Sequence, residues 1–552
     1  MKTTLFRLFA WMLSLCAIPM MAQTRYHVNI NNGDDTNDGL KWSTAFENLQ
    51  TAIDSAKAGD EIWIAAGTYY PTQKIADIYG NGNQEATNDR HRSFLITKNI
   101  RIYGGFPANP TDATSIGSRN WTEYQTILSG DFEGNDGDNF ENTEENAYHV
   151  IVLFDATPAT ILDGLYIMGG YANGTSTTYL YGGRTYYVTG IDGGGIYAYS
   201  PMNVSSPTLI DVSFYGNYAQ TSGGAMYNYS FEDNASPSMT NVSFVHNKAN
   251  ARFGGALFND GRRVNAELTN MNIVGNESGR SGGGLYFIAT ETCSPVITNA
   301  VINGNYANNG NGGGIYLTTY DGDAEPSIIN STICGNKIAM SGIDGEKDGG
   351  GLVIHSMGIA KVNILNTVIW GNKGYDYDNL LIKAEWGNST TIDGSLIEGY
   401  DDLGATNLAG DTDPLFLDAV NADFAPTLEG DYQLTLGSPL INKGLNTHIT
   451  ASKDLLGNTR IFDNTVDIGA YESQGKAPVN NETMFSEKTI WSYNGNLYVS
   501  IDQTATLHVY SIDGTLVKHV KNLGVGAYEY TLPQGVYIVT LSDGTTEKVM
   551  IR

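Results

Sequence analysis

A repeat of roughly 30 residues constrains the fold of this chain more than any other feature. Each unit carries a glycine pair, a third small residue that is Gly or Ala, and then an aliphatic and an aromatic or aliphatic residue. The pairs begin at positions 193, 223, 254, 282, 312 and 349. A second motif recurs in step, in which Phe or Ile precedes Asn by three positions. Its copies end at Asn217, Asn247, Asn276, Asn305, Asn336 and Asn372. Two motifs in constant phase indicate copies of one structural unit.

Each unit consists of strands and turns. Apolar residues alternate with period two, as in Val212 and Phe214 or Val242 and Phe244, and no helical spacing connects them. A unit of this size cannot bury its own apolar face, but stacked units share one continuous core. The sequence therefore predicts an all-β protein, a right-handed parallel β-helix over residues 23–472 with regular repeats over 193–378 and about ten turns in all.

Two polar columns accompany the repeat. The first is the terminal Asn of the second motif. The second lies three positions before the Phe/Ile column and comprises Asp211, Asn241, Asn270, Asn299, Asn330 and Asn366. Stacked amides at bends satisfy one another from turn to turn, so we expect a structural role for both columns.

The units resemble the repeats of chlamydial polymorphic outer membrane proteins. The similarity rests on Gly223-Gly224-Ala225-Met226 and on the tetrapeptide from Phe244 to Asn247. Those relatives are surface adhesins, so the resemblance implies a passenger-like binding architecture. This chain shows no sign of their autotransporter barrel.

The region before the repeats, residues 23–70, predicts an N-terminal cap. Thr44 to Glu47 reads as a capping box, and a helical face of Phe46, Leu49, Ala52, Ile53 and Ala56 follows and stops near Gly59. A short helix would close the open end of the solenoid. The run from Tyr26 to Tyr69 resembles the cap of pectin-lyase-like proteins.

The other end predicts a closing segment over 391–472, a linker over 473–482 and a small β-sandwich over 483–552. The last module resembles the C-terminal sorting domain of the type IX secretion system of Bacteroidetes, through the hexapeptide beginning at Ile512, the segment Pro533 to Val539 and the terminal Lys548 to Arg552. The resemblance implies that the type IX machinery is a partner and that the protein is secreted or attached to the outer face of the outer membrane.

Residues 1–22 read as a secretory signal, with Lys2 and Arg7 before an apolar stretch and cleavage between Ala22 and Gln23. No later stretch is long and apolar enough to predict a transmembrane helix. The net charge of −28 argues against nucleic acid as a partner. After cleavage two cysteines remain, Cys293 and Cys334, which we expect to be structural; we expect a monomer.

The aromatic column beside the glycine pairs is the most suggestive surface feature. If the aliphatic residues before them point inward, these rings point outward, where they form either a stabilising stack or a face that binds a glycan or another surface ligand. Inward rotation of the rings is a further alternative. The column comprises Tyr197, Tyr227, Phe258, Tyr286 and Tyr316, with Tyr199 and Tyr229 two residues on.

An acidic stretch offers oxygen ligands for calcium, which is the one cofactor that the sequence suggests. We expect the site at Asp131, Glu133, Asp136 and Asp138, near Glu141, Glu144 and Glu145. A solvated loop is the alternative interpretation.

Three functions stay open: an adhesin-like or glycan-binding protein, a polysaccharide lyase or glycoside hydrolase of pectin-lyase-like fold, and a structural surface protein. We find no catalytic motif, so the sequence favours binding. Outward positions beside the Phe/Ile column carry contact residues and not proton-transfer groups; they include Ser213, Tyr215, Ser243, Val245, Asn272, Val274, Val301, Asn303, Thr332, Cys334, Val368 and Trp370.

Overall fold

A computed structural model describes residues 23–75, 88–181, 183–339, 349–475, 489–493, 496–501, 504–511, 515–523, 526–542 and 545–551. The predicted signal, with Ala22, lies outside these residues, as do residues 476–482 of the predicted linker. The chain divides into two compact units, Met1–Gly475 and Lys476–Arg552. In the described part, no helix is both long and apolar enough to cross a membrane.

The first unit is a parallel β-helix, and most of its strands belong to one 26-stranded sheet that winds through successive coils. Each coil contributes to three faces, which we name faces I, II and III. Five of the strands are eight residues long and bend in the middle, so that only their first halves belong to face I. The strands of face I are Arg25–Val28, Glu61–Ala65, Arg101–Phe106, Ile161–Met168, Thr208–Tyr215, Ser238–Val245, Glu267–Val274, Val296–Asn303, Ser327–Ile329, Ala360–Leu365 and Asn388–Asp393.

Face II follows face I after a bend within each coil. It uses the second halves of the same five eight-residue strands, and it begins and ends with short strands of its own. Those short strands are Gly67–Tyr69, Thr126–Ser129, Thr332–Cys334, Val368–Trp370 and Leu396–Ile397.

Face III carries the aromatic column. Its register pairs Met226 with Leu257 and Tyr227 with Phe258, so equivalent positions stack directly. The strands are Phe94–Ile96, Ile151–Phe154, Ile196–Ser200, Met226–Ser230, Leu257–Val264, Leu285–Cys293, Ile315–Thr319, Leu352–Ser356 and Leu380–Ala384. With nine to eleven rungs in each face, the expectation of about ten turns is confirmed.

Shorter elements join the faces. Two-residue strands form a parallel ladder at the turn before face III. An antiparallel hairpin, Thr177–Tyr181 with Arg184–Val188, is inserted before the first regular coil. The ladder strands are Tyr171–Ala172, Tyr218–Ala219, Lys248–Ala249, Glu277–Ser278, Tyr306–Ala307 and Lys337–Ile338; the remaining elements are Asp323–Ala324, Phe416–Asp418, Asp431–Leu434 and the 3₁₀ turns Trp42–Thr44, Asp89–His91, Ile116–Ser118, Asp138–Phe140, Ala422–Phe424 and Asn446–His448.

The bend between faces I and II explains the second polar column. Asp211, Asn241, Asn270 and Asn299 all adopt φ between 52° and 57° there. Asn and Asp tolerate this left-handed conformation better than other residues with a Cβ. The amide of Asn241 donates to Asp211 at 2.8 Å, and that of Asn270 donates to Asn241 at 2.8 Å. The predicted structural role is confirmed.

The first polar column is an interior amide ladder. Nδ2 of Asn217 donates to Oδ1 of Asn247 at 3.0 Å, Asn247 donates to Asn276 at 3.0 Å, and Asn276 donates to Asn305 at 2.9 Å. Each of these side chains is buried. The Oδ1 atoms of Asn247, Asn276 and Asn305 also accept the backbone N–H of the asparagine one coil earlier, so both amide donors of each preceding asparagine are paired.

The N-terminal helix closes the apolar core as expected, but it is shorter than predicted. It spans Leu49–Ser55, and Leu49, Ala52 and Ile53 pack into the core of the solenoid. The predicted capping box at Thr44 is wrong. The Thr44 hydroxyl donates to Asp38, and the Asp35 carboxylate accepts the backbone N–H groups of Glu47 and Asn48 instead.

The closing segment folds back along the outside of face II. Tyr432, Leu440, Ile468 and Ala470 form a second apolar cluster there with residues of face II. Our expectation of an exposed contact surface is therefore wrong for the later coils. The covered residues are Val274, Val301, Asn303, Thr332, Cys334 and Val368, whereas Ser213, Tyr215, Ser243, Val245, Asn272 and Trp370 keep some exposure.

The second unit consists of two antiparallel sheets around one core that includes Leu497, Val509 and Val539. This is the predicted small sandwich, with one more strand, Thr489–Tyr493, than the sequence indicated. The start of the motif at Ile512 lies outside the described residues. One sheet contains Thr489–Tyr493, Asn496–Ile501 and Gly526–Thr531, and the other contains Ala505–Ser511, Leu516–Leu523, Gly535–Leu541 and Thr546–Ile551.

Candidate functional site

The aromatic column on face III is a continuous stack. Ring centroids are 5.4 Å apart between Tyr197 and Tyr227, 5.0 Å between Tyr227 and Phe258, 5.4 Å to Tyr286 and 5.3 Å to Tyr316. The residues before them, such as Met226 and Leu257, belong to the interior core, and the rings do not. The alternation therefore predicted the direction of these side chains correctly.

Solvent exposure of the column is where the expectation fails. Tyr197, Phe258 and Tyr286 are only 2%, 8% and 5% exposed, and Tyr227 and Tyr316 are half-buried. The inserted hairpin covers the first ring, since the Tyr197 hydroxyl donates to the carbonyl oxygen of Tyr187 at 3.0 Å. Phe253 stacks on Tyr286 with centroids 4.5 Å apart. The column therefore offers little accessible surface to a ligand.

A second aromatic row lies beside the column on face III and is accessible. It consists of Tyr199 and Tyr229, two residues after the column rings of their strands, and of Phe231, which directly follows the strand Met226–Ser230; we name these three residues the outer row. Tyr199 stacks on Tyr229 at 5.8 Å, and Phe231 meets Tyr229 edge-on at 6.4 Å. Tyr199 and Tyr229 are half-buried, whereas Phe231 is 63% exposed. The buried column packs beside these rings, since Tyr197 contacts Tyr199 with centroids 6.2 Å apart and Tyr227 contacts Tyr229 at 6.1 Å.

A carboxylate belongs to this surface. Asp260 follows Tyr229 in the stack and carries its charge close to Tyr229 and Tyr320. Burial raises the pKa of Asp260 to about 7. Tyr320 is itself exposed, so the surface combines flat rings with one polar group that titrates near neutrality. No sequence pattern singled out Asp260, because its surroundings come from other coils.

The acidic stretch forms a compact group outside the helix. One oxygen from each of Asp131, Asp136 and Glu145 lies within 4.8 Å of the others. Asp131 accepts three backbone N–H groups, at 2.6 Å from Gly134 and at 3.2 Å from Asn135 and Asp136. Partial burial raises the pKa of Asp136 to about 6 and also raises the pKa of Glu145. Three converging carboxylates are chemically suited to a hard cation.

Two of the four predicted calcium ligands thus come together, joined by Glu145. Glu133 is exposed outside this group, and its carboxylate accepts the Asn135 amide at 3.1 Å. Asp138 begins the turn Asp138–Phe140, and its side chain lies outside the described part of the structure. Sequence proximity alone did not distinguish Glu133 from Glu145, because the loop path brings position 145 back to position 131.

Beside this group lies a cleft of about 410 Å³ that the sequence did not predict. Phe140 from the acidic loop, His246 and Lys248 from the repeats and Leu428 from the closing segment line it. A smaller adjoining cavity of about 130 Å³ is lined by Asp136, Phe140 and His246. Three segments far apart in the chain meet here, which is why no local pattern indicated the cleft.

Comparison with known proteins finds no matching protein-family profile and no matching curated protein. Among solved structures, the pectate lyase Pel9A aligns with 82% of this chain and 97% of its own length, at 13% identity and a TM-score of 0.40. XylC in complex with xylose aligns with 82% of this chain and 99% of its own, at 8% identity and a TM-score of 0.29. The parallel β-helix is established by the strand pairing itself.

Proposed function

We propose that this protein is an exported, adhesin-like β-helix that binds glycans through the outer row on face III. The observation that carries the proposal is an accessible aromatic row beside a buried column, in which Tyr199 stacks on Tyr229 and Phe231 meets Tyr229 edge-on. Aromatic rings bury large area at low entropic cost, and a sugar ring offers an apolar face that matches them.

The geometry of the row supports an extended ligand. Successive rings repeat at 5.8 Å and 6.4 Å, so two or three rings offer neighbouring contacts along a chain of sugars. Asp260 and the Tyr229 and Tyr320 hydroxyl groups supply hydrogen-bonding partners beside the rings. Such a surface combines apolar contact with a few polar groups that select the ligand.

A glycan array tests the proposal, with the mature chain from Gln23 applied as wild type and as the triple variant Tyr199→Ala, Tyr229→Ala, Phe231→Ala. We expect the wild type to bind a family of oligosaccharides and the variant to lose at least tenfold in affinity, about 0.5–1.5 kcal/mol for each ring. Trp386→Ala is the matched control, because Trp386 is 81% exposed and lies outside the row. Unchanged binding by a folded triple variant would reject the outer row.

Calcium binding is a second proposal, favoured by the convergence of Asp131, Asp136 and Glu145. Calorimetric titration of calcium should give one site that Glu145→Gln abolishes. Glu133→Gln serves as the control because Glu133 stands outside the group. Equal loss in both variants would favour diffuse attraction by the acidic loop over a defined site.

Export and surface attachment are proposed from the two ends of the chain. The signal and the sorting-domain resemblance support passage through the type IX machinery. Deletion of 476–552 should leave the β-helix folded but retained in the periplasm, since the tail is a separate compact unit. Cell fractionation measures this, and equal surface display of the truncated chain would refute the assignment.

A further inference from the structure

One position in the repeat breaks its own rule beside the cleft. The residue before the ladder asparagine is Gly216, Gly275, Gly304, Gly335 and Gly371 in the other coils, and all five have φ between 60° and 65°. In one coil this residue is His246, with φ of 56°. A residue with a Cβ is disfavoured in this conformation by about 1–2 kcal/mol. The turn favours glycine here, so this coil departs from the repeat at a cost in backbone strain.

The loop opposite shows the same departure. Asn139, Phe140 and Asn142 adopt φ of 58°, 63° and 58°. For a bulky residue such as Phe140 this conformation is a clear outlier. Strained residues persist where the surrounding structure holds them, and they concentrate at binding sites. In these backbone conformations the Phe140 and His246 rings stack, with centroids 5.2 Å apart and planes 14° from parallel.

The two rings and a carboxylate share one small cavity. Asp136 lines the cavity of about 130 Å³ together with Phe140 and His246. Its oxygens accept the Asn146 amide at 2.8 and 3.1 Å, but among the described residues no lysine, arginine or histidine forms an ion pair with it. Asp131 and Glu145 add negative charge nearby. A cation in this cavity would interact favourably with the aromatic face and would form a charge-assisted hydrogen bond with the carboxylate.

The larger cleft continues from the same rings. Lys248 lines it, yet its ammonium lies 3.0 Å from the Glu277 carboxylate, so this lysine does not offset the acidic group. Leu428, which is 47% exposed, adds an apolar wall. The volume of about 410 Å³ has room for more than a single amine-bearing side chain.

We propose that this cleft is a second binding site, independent of the outer row, for a glycan that carries a free, protonated amino group. One sugar ring stacks on the Phe140–His246 pair and directs its ammonium to Asp136, while the next units follow the wall at Leu428. A polyuronate is excluded by the same charges, because its carboxylates would face Asp136, Asp131 and Glu145.

Calorimetry with two matched oligosaccharides tests the proposal on the mature full chain in EDTA. Short glucosamine oligomers and their N-acetylated counterparts differ in the charge of the amine. The titration is run at a slightly acidic pH that keeps the amine protonated, and EDTA keeps calcium from the shared carboxylates. We expect the free amine to bind at least tenfold more tightly. Asp136→Asn should remove that preference, and His246→Gly should weaken both ligands while leaving thermal stability unchanged or higher. Glu267→Gln is the control, because Glu267 is exposed at the start of the strand Glu267–Val274 and lines neither cavity.

Equal affinity for the two oligomers, or full binding by Asp136→Asn, would overturn the amine assignment. Wild-type affinity in His246→Gly would overturn the site itself. Tighter binding of a lysine-rich peptide than of the glucosamine oligomer would replace the glycan by a protein ligand and so contradict the proposal. None of these results depends on Tyr199, Tyr229 or Phe231, so failure here leaves the outer row untested and failure of the outer row leaves this site standing.

Discussion

The interior asparagine ladder and the cleft at His246 occupy neighbouring residues of the same turns, and they follow opposite rules. The ladder repeats one residue in every coil and satisfies each amide with the next. The cleft depends on a single coil in which glycine is replaced at the adjacent position. A residue that recurs in each coil of a solenoid is required by the fold, because equivalent residues of successive coils pack in the same way. A single coil that departs from the repeat at a cost in stability indicates a local function.

We expect the largest loss of stability from a substitution in the asparagine ladder. In Asn276→Ala the backbone N–H of Asn247 loses its acceptor in a buried site, whereas Nδ2 of Asn247 keeps two backbone carbonyl acceptors. The hydrogen bonds that Asn276 donates to Phe244 and Asn305 are also lost. At roughly 2 kcal/mol for the stranded donor and about 1 kcal/mol for each lost hydrogen bond, we expect a loss of about 4 kcal/mol in the free energy of unfolding, measured by urea denaturation. Asn272→Ala on the half-buried outer side should change it by less than about 0.5 kcal/mol. Equal effects would show that water replaces the ladder.

The next largest effect separates the buried column from the outer row. Phe258→Ala should lower the free energy of unfolding by about 3 kcal/mol, because Phe258 is stacked on both sides and nearly inaccessible. Phe231→Ala removes an exposed ring and should stay within about 0.5 kcal/mol. If both variants melt like the wild type, the rings of the column are exposed in solution.

Asp260 sharpens the same distinction through pH. Burial raises its pKa to about 7, above the ordinary value of 3.8, so the protonated form is favoured in the folded state. This contribution to stability is therefore complete below pH 3.8 and is lost as the pH rises to about 7. Asp260→Asn should gain melting temperature relative to the wild type between pH 5 and pH 8. A constant difference across that range would contradict the burial of this carboxylate.

The smallest effect concerns the exception itself. His246→Gly should leave the free energy of unfolding unchanged or raise it by up to about 1 kcal/mol, since relief of strain is offset by the flexibility of glycine in the unfolded chain. Gly216→Ala is the mirror experiment: its φ is 60° and a Cβ there would meet no atom within 4 Å, so only backbone strain is added. The melting temperature should fall in Gly216→Ala, and it should rise or stay unchanged in His246→Gly. Destabilisation by both changes would mean that His246 is structural.

The sequence predicted the features that depend on equivalent residues of stacked coils, and it missed those that depend on segments outside the repeat. The repeat motifs indicated the β-helix, the asparagine ladder and the inward direction of Met226, because each depends on stacking of equivalent residues. The burial of Tyr197 depends on an inserted hairpin, and the covering of Cys334 depends on a segment about a hundred residues further along the chain. No periodic pattern encodes such contacts. His246 was visible in the sequence as a missing glycine, which is a signal for the cleft that periodicity alone passed over.

Glycan binding by the outer row can be observed in a crystal structure of the mature chain soaked with an oligosaccharide that the array identifies. We expect sugar density along Tyr199, Tyr229 and Phe231, with ring planes parallel to the aromatic faces. Density confined to other surfaces, with the outer row bare in a lattice that leaves it open to solvent, would contradict it.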